Sequence, residues 1–217
     1  MEIFWRGHSC FSILIKQNKE ENIKIVIDPF DESIGLPLRE EEADILLISH
    51  NHPDHNNTKI IKGEPFKIEG PGEYEIKGIY IEGIEAFHDN KKGKERGKVT
   101  IFTIEGEQIR LCHLSDIGQK ELTDQQLEKI GEVDILMVPV GGIYTISPKE
   151  AVDIISQIEP KIVIPMHYFL PKMKIKLEKV DKFLKEMRIE EPERLKSLKI
   201  KQKDLPSETK VVLLKLK

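Results

Sequence analysis

Short apolar or alternating stretches, separated by turn residues, follow one another along most of the chain. Because successive side chains of a strand point to opposite faces, alternation predicts half-buried strands, and short apolar runs predict fully buried ones. A first group of strands is predicted at residues 2–6, 11–16, 23–28, 45–49 and, after the Gly-Pro-Gly turn at 70–72, 74–84. A second group is predicted at 99–105, 108–113, 135–138, 162–165 and 210–217.

Helical spacing of apolar residues occurs mainly in the second half of the chain. Helices are predicted at residues 123–130, 148–157 and 176–187, with one further helical turn at 57–62. The helix at 148–157 begins with a capping box, in which Ser147 is the N-cap and Glu150 the third helical residue. Two groups of strands with late helices predict two packed sheets covered by helices, although periodicity alone does not rank this above other α/β arrangements.

Composition narrows the possible classes of protein. The chain has 217 residues, of which 39% are hydrophobic and 33% charged, and it contains no repeat or low-complexity linker, so we expect one globular domain spanning residues 1–217. A net charge of -4 gives no electrostatic footprint for nucleic acid. Apolar runs fall short of the roughly 18 residues that span a membrane. The two cysteines, Cys10 and Cys112, predict buried free thiols in a reducing cytoplasm.

A dense cluster of histidines is the main chemical signal. Three of the seven histidines lie in the segment HNHPDH, residues 50–55, which also contains Asp54. The segment follows an apolar run that reads as a buried strand, and Pro53 and Asn56 mark an irregular loop. Imidazole nitrogen and carboxylate oxygen are donors for zinc and other first-row metals. We therefore predict a metal site; a solvated or helix-capping histidine cluster is the alternative.

The other histidines and one aspartate lie in similar positions. His88 and His167 each end an apolar run, as His50 does, and Asp116 follows the strand predicted at 108–113. Each has an ordinary alternative, a core histidine bonded to backbone or an aspartate in a turn. His8 and His113 also lie where a strand ends, and they are candidate ligands, partners of ligands or substrate contacts.

These residues resemble the five-motif metal signature of the metallo-β-lactamase fold superfamily. The resemblance covers about residues 1–170. It rests on HNHPDH, on His88, on Asp116 in HLSDIG and on His167 in IPMHY. The segment IVIDPF, which contains Asp28, is similar to the first motif of the signature. More narrowly, GHSCF, GPGEYEI, FHD, HLSDIG, PVGG and IPMHY resemble the small stand-alone, lactonase-like hydrolases of bacteria and archaea. The Lys-rich segment 171–217 lies outside the resemblance and is expected to form a helix and a strand.

The resemblance implies a four-layer αββα sandwich of the α/β class with a dinuclear site at one edge. One divalent metal ion would be held by His50, His52 and His88, and the other by Asp54, His55 and His167, with Asp116 bridging them. Zinc is expected, with manganese and ferrous iron as alternatives. Asp28 is expected to orient the loop that carries the ligands, and His8 to support a ligand. Open coordination positions would hold a shared water whose pKa can fall to about 7.

The ligand count favours an enzyme over a structural metal site. A structural zinc site is normally closed by four ligands, whereas seven candidate ligands for two ions leave open positions. We therefore predict a metal-dependent hydrolase of a small ester, lactone or phosphodiester; the alternative is a non-catalytic metal-binding scaffold or sensor. Asp54 and His113 are the predicted catalytic residues, and Arg96 and Tyr144 the predicted substrate contacts. We expect a small-molecule substrate and neither a nucleic-acid nor a membrane partner, and the sequence is compatible with a homo-oligomer.

Overall fold

Among the described residues, the strands form two large sheets and one small one. The computed structural model describes residues 1–17, 21–37 and 39–217. In chain order the strands are β1 (Glu2–Gly7), β2 (Cys10–Lys16), β3 (Asn22–Ile27), β4 (Glu41–Glu42), β5 (Ile45–Leu47), β6 (Ile61–Lys62), β7 (Phe66–Ile68), β8 (Gly72–Ile76), β9 (Ile79–Phe87), β10 (Lys98–Gly106), β11 (Ile109–His113), β12 (Ile135–Pro139), β13 (Ile162–Met166), β14 (Glu193–Leu195), β15 (Leu198–Lys199) and β16 (Lys210–Leu214).

The two large sheets differ in how their strands are connected. The first has the order β15-β1-β2-β3-β5-β7, antiparallel as far as β3 and parallel from β3 to β7. The second has the order β14-β16-β13-β12-β11-β10-β9-β8, antiparallel from β8 to β11 and parallel from β11 onward. Strands β4 and β6 form a separate parallel pair.

Three α-helices accompany the second sheet: α1 (Asp124–Ile130), α2 (Pro148–Ile158) and α3 (Val180–Glu186). Helix α1 connects β11 to β12, and helix α2 connects β12 to β13. These three strands are parallel neighbours, and the chain crosses the sheet in the same direction in both connections. Because such crossovers are right-handed, both helices lie on the same face, and α3 packs against α2. Within the described residues, every helix lacks the combination of length and apolar character needed to traverse a lipid bilayer.

The main hydrophobic core lies between the two large sheets and contains side chains of both, among them Trp5, Phe11 and Phe102. Alternation along β3 sends Ile25 and Ile27 into this core and Val26 to the opposite face. That outer face packs on a second apolar cluster, which a loop containing a 3-10 helix, Glu32–Ile34, completes. The prediction of two packed sheets covered by helices is confirmed. Both cysteines are buried and free, as predicted.

Local geometry corrects two of the predicted elements. The single strand predicted at residues 74–84 is wrong, because β8 and β9 are joined by a two-residue turn at Lys77 and Gly78. Their φ angles of 50° and 72° are those that a type I′ hairpin turn requires. The helix predicted at residues 176–187 begins only at Val180, because Leu177 packs in the second cluster and the Glu178 amide bonds to the Gly141 carbonyl.

The remaining helical predictions differ in detail from the structure. The helical turn predicted at 57–62 is a 3-10 helix, Thr58–Ile60, followed by β6. Helices α1 and α2 agree with prediction to within one residue at each end, and both begin with complete capping boxes. In α2 the box joins Ser147 and Glu150 as predicted.

Candidate metal centre

The predicted ligands lie at one edge of the two sheets, just beyond the carboxyl ends of strands. His8, Asp28 and Ser49 follow β1, β3 and β5, which run in the same direction within the first sheet. His88 follows β9, which is parallel to β11 because β10 is antiparallel to both. His167 follows β13 in the same sheet. The strand order therefore collects side chains that are up to 159 residues apart in sequence, from His8 to His167.

The first group of ligand atoms belongs to His50, His52 and His88, whose donor atoms lie within 4.8 Å of one another. The Ser49 hydroxyl donates its proton to Asp28 Oδ2 at 2.6 Å, so the 2.9 Å bond to His50 Nδ1 requires that nitrogen to be the donor. The lone pair of His50 is thereby placed on Nε2, which is buried and has no hydrogen-bond partner in the part of the chain that the structure describes. Burial and the neighbouring His55 lower the pKa of His50 to about 3, which favours the neutral ring that a metal requires.

The second group of ligand atoms belongs to His8, Asp54, His55 and His167. His55 Nδ1 donates to Asp28 Oδ2 at 3.0 Å, so its Nε2 is left toward the centre of the site. His8 Nε2 lies 3.1 Å from Asp54 Oδ2, and its ring centroid is 4.2 Å from that of His167. His8, predicted only to support a ligand, therefore lies among the candidate ligands themselves.

Asp116 lies between the two groups. Its Oδ2 atom is 3.0 Å from His167 Nε2, 3.2 Å from His55 Nε2 and 3.9 Å from His88 Nε2. The Ser9 hydroxyl donates to the other carboxylate oxygen at 3.1 Å. Burial disfavours the charged carboxylate, but His167 and His55 outweigh it and hold the pKa of Asp116 well below its usual value. One oxygen of Asp116 is thus the atom that both groups share.

The donor set fits a pair of divalent cations. Within the described residues, His50 Nε2 is buried without a hydrogen-bond partner, and the Nε2 atoms of His55, His88 and His167 lie 3.2, 3.9 and 3.0 Å from Asp116 Oδ2. A buried polar atom without a partner costs about 1–3 kcal/mol. Burial opposes a charge on His55, yet Asp116 and Asp28 raise its pKa well above the usual value. Metal ions between these groups would supply the positive charge that a protonated His55 otherwise provides.

Asp28 controls the tautomers of candidate ligands in both groups. Its buried carboxylate accepts the Ser49 amide at 2.8 Å on Oδ1, and the Ser49 hydroxyl and His55 Nδ1 on Oδ2. Burial raises the pKa of Asp28, but its bond and charge interaction with His55 more than offset this, so the net shift is downward. Asp28 therefore orients the His55 ring through a direct hydrogen bond, and it orients the His50 ring through Ser49.

Strained backbone conformations occur at five residues around the centre. His8, Asp28, Ser115, Ile143 and His167 all have positive φ angles, of 53°, 46°, 54°, 41° and 51°. Such conformations cost about 1–3 kcal/mol each in residues other than glycine and persist where the surrounding structure enforces them. Ile143 is the most unusual, since it is β-branched and 53% exposed.

Two glycines allow ligand-bearing segments to pack closely, and sequence reasoning did not assign them a role. A Cβ atom at Gly118 would collide with the His88 carbonyl oxygen, and one at Gly141 with the His167 carbonyl oxygen. The HLSDIG and PVGG motifs contain these glycines. The motifs therefore marked these two glycines, but the carbonyl groups that they pack against belong to residues 26 to 30 positions away in the sequence.

His113 does not have the geometry of the predicted proton donor. The ring is fully buried, its Nε2 bonds to the Ser9 carbonyl at 2.9 Å, and its Nδ1 accepts the Ser115 amide at 3.2 Å. With both nitrogens engaged by backbone, none is available to a leaving group or an oxyanion. The structure instead places His113 as a support for Ser9, whose hydroxyl contacts Asp116.

Arg96 and Tyr144, predicted as substrate contacts, are brought together beside His88. The Arg96 guanidinium lies 5.9 Å from the centroid of the Tyr144 ring, and both line a cleft of about 370 Å³ with His88, Ile143 and Lys120. Among the described residues no carboxylate forms an ion pair with Arg96, and both Arg96 and Tyr144 are exposed. The cleft therefore presents a cation and an aromatic ring next to the first ligand group.

Asp89 organises the loop that carries Arg96, a role that sequence reasoning missed. Its buried carboxylate accepts the backbone amides of Lys91, Gly93, Glu95 and Arg96 at 2.8–2.9 Å. Burial opposes its charge, yet these four bonds lower the pKa of Asp89 to about 2. The FHD motif, in which Asp89 directly follows His88, was the available signal.

Comparison with known proteins gives consistent results. Residues 2–167 match the family described as Beta-lactamase superfamily domain. A UPF0173 protein of Pyrococcus abyssi is 34% identical over 77% of this chain and 83% of its own length. The UPF0173 metal-dependent hydrolase of Staphylothermus marinus is 31% identical over 76% of this chain and 82% of its own length. A crystal structure from Thermotoga maritima, described as a candidate Zn-dependent hydrolase of the metallo-β-lactamase superfamily, is 39% identical with a TM-score of 0.79, covering 98% of this chain and 97% of that one.

Proposed function

Because the chain belongs to the beta-lactamase superfamily, we propose that it is a metal-dependent hydrolase acting through a dinuclear centre. The observation that carries this proposal is the position of Asp116 Oδ2 between two groups of converging histidines. Relatives named metal-dependent hydrolases, such as the Staphylothermus marinus protein, support the reaction class. The αββα sandwich expected from the sequence agrees with the family match and with the two large sheets.

We assign the candidate ligands to two ions as the resemblance implies. His50, His52 and His88 would hold one ion, Asp54, His55 and His167 the other, and Asp116 both, with His8 as a further candidate in the second group. Zinc is the proposed ion, because five or more imidazoles with two carboxylates form a donor set that zinc favours. When bound, such a pair of ions supplies a hydroxide at neutral pH and polarises the bond to be cleaved.

The protein's own residues keep this centre in its reactive form. Asp28 and Ser49 hold His50 with its Nε2 lone pair directed inward, and Asp28 holds His55 by Nδ1, so that the proton His55 gives up when it binds a cation is the one on its inward Nε2. Asp54 is the most exposed carboxylate of the centre, with 29% of its side chain accessible. We propose that Asp54, besides being a ligand, accepts a proton from the attacking water at this open side.

The cleft beside His88 is the proposed substrate site. Its volume of about 370 Å³ suits a small molecule, and Arg96 offers a charge to an anionic group of an ester, lactone or phosphodiester. Tyr144 and Ile143 provide exposed apolar surface for the rest of the substrate. Buried free thiols support a cytoplasmic location, and the net charge of -4 argues against a nucleic-acid substrate.

Turnover of a substrate panel tests the proposal. The full-length chain loaded with zinc is assayed against lactones, carboxylic esters and phosphodiesters, each in neutral and anionic forms. We expect activity that a chelator abolishes, that zinc restores and that Asp116→Ala removes, while the exposed control Lys196→Ala retains it. If the chain binds its metals tightly but turns over none of these compounds, the scaffold or sensor alternative is favoured.

The same assay tests the substrate contact at Arg96. Arg96→Ala should raise KM for anionic substrates far more than for neutral ones, because only the former form a charge-assisted bond with the guanidinium. A charge-assisted hydrogen bond of about 1.5–3 kcal/mol corresponds to a KM increase of roughly 10-fold or more. Equal effects on both substrate classes would contradict a role for Arg96 in binding an anion.

A further inference from the structure

A second cavity lies apart from the metal centre. It has a volume of about 450 Å³ and is lined by residues of β1, β16, the start of α3 and the segment that follows His167. None of the seven predicted ligands lines it. Small-molecule sites commonly enclose about 300–1,000 Å³, so this cavity is large enough for a ligand of its own.

The inner wall of the cavity is aromatic and aliphatic. Trp5 and Tyr168 are nearly buried, and their ring centroids lie 4.9 Å apart. The Trp5 indole N–H donates to the His8 carbonyl at 2.9 Å, which fixes the orientation of the ring. Leu213 and Leu214 of β16 add aliphatic surface, and Leu216 at the edge is 40% exposed. A ligand that packs against this wall therefore needs an apolar portion.

The rim of the cavity is basic. Lys179, Arg194 and Lys215 line it, and among the described residues none of the three forms an ion pair. By contrast, two lysines outside the cavity, Lys182 and Lys210, are neutralised by glutamates. One carboxylate, that of Asp181, also lies on the rim. Three cations against one anion leave an excess of positive charge beside an apolar wall.

We propose that this cavity binds a small amphiphile, a free carboxylate with an aliphatic chain. Its apolar chain would cover Trp5 and Tyr168, and its carboxylate would bond to Arg194 and the neighbouring lysines. Arginine suits this role because its planar guanidinium matches a carboxylate in two parallel hydrogen bonds. The proposal concerns a site separate from the hydrolytic centre and does not depend on the reaction catalysed there.

The one tryptophan of the chain makes the proposal directly measurable, because Trp5 lines the cavity. The full-length, zinc-loaded protein is titrated with octanoate while Trp5 fluorescence is recorded, and with octanol as an uncharged ligand of equal chain length. We expect a saturable change in emission and about 10-fold tighter binding of octanoate, the factor that one charge-assisted hydrogen bond contributes. No saturable change, or equal affinity for the two compounds, would overturn the proposal.

A pair of variants locates the ligand. Arg194 lines the cavity, whereas Lys196, two residues further along and also exposed, does not. Arg194→Ala should weaken octanoate binding about 10-fold and leave octanol binding unchanged, while Lys196→Ala should change neither. Octanoate affinity that is the same in both variants as in the wild type would place the ligand elsewhere, for instance at the metal centre, and would refute the assignment.

Discussion

Replacing Asp28 by asparagine probes how the protein prepares its candidate ligands for metal. The carboxylate is fully buried and accepts three hydrogen bonds. Its Oδ1 atom accepts one from the Ser49 amide at 2.8 Å, and its Oδ2 atom accepts two, from the Ser49 hydroxyl and from His55 Nδ1. Asparagine has nearly the same size but carries one acceptor and one donor group. In either amide orientation, its NH₂ group faces at least one of the donors that the carboxylate now satisfies.

The expected magnitude follows from these three bonds. At least one charge-assisted bond, worth about 1.5–3 kcal/mol, is lost, and the unsatisfied buried donor costs about 1–3 kcal/mol more. We therefore expect Asp28→Asn to fold, with a free energy of unfolding reduced by roughly 2.5–6 kcal/mol. Because His55 is no longer held with its Nε2 lone pair inward, zinc affinity should fall by about 10 to 100-fold.

Competition titration of zinc against a chromophoric chelator measures the affinity, and thermal unfolding measures the stability. The matched control is Asp44→Asn, which also removes a carboxylate that accepts a backbone amide, that of Lys24 at 2.9 Å, but at the opposite end of β5. Asp44→Asn should leave zinc affinity unchanged. Wild-type affinity in Asp28→Asn, or an equal loss in both variants, would refute the tautomer argument.

Three further outcomes are expected. Gly141→Ala should lower the free energy of unfolding by about 3 kcal/mol and weaken zinc binding, because the added Cβ meets the His167 carbonyl. The control Gly70→Ala, whose added Cβ would lie in open space, should leave thermal unfolding unchanged. Asp89→Asn should destabilise the chain by about 2 kcal/mol in the same assay, since the loop carrying Arg96 loses the carboxylate that accepts four of its backbone amides. The same variant should abolish the preference for anionic substrates. Zinc at 100 times its Kd should raise the free energy of unfolding by about 2.7 kcal/mol, and a chelator should reverse the gain; a melting temperature that does not respond would contradict metal binding by the folded chain.

The parts of the fold that depend on local patterns could be predicted from the sequence. Helix α2 was predictable because its capping box and its apolar spacing lie within a few residues of each other. The short strands before His50 and His167 were predictable for the same reason, and the apolar runs before His50, His88 and His167 indicated the edge where the histidines meet. The division of ligands into two groups came from the resemblance, since spacing alone does not determine which donors converge.

Features set by distant contacts could not be predicted. The bond between His113 and the Ser9 carbonyl joins residues 104 positions apart, and it converts an apparent catalytic histidine into a structural one. Helix α3 is shorter than its amphipathic pattern because Leu177 is drawn into a cluster on the other sheet. The turn at Lys77 was missed because a positive φ at lysine has no strong sequence signal.

The number of metal ions per chain tests the central claim most directly. Metal-free protein is titrated calorimetrically with zinc, and its metal content after dialysis is determined by elemental analysis, for the wild type and for His88→Ala, His167→Ala and Asp116→Ala. We predict two ions in the wild type, loss of one in each histidine variant, and weakened binding of both in Asp116→Ala, because its Oδ2 atom lies between the two groups. A single ion in the wild type, or two ions held with undiminished affinity in Asp116→Ala, would contradict a shared dinuclear centre.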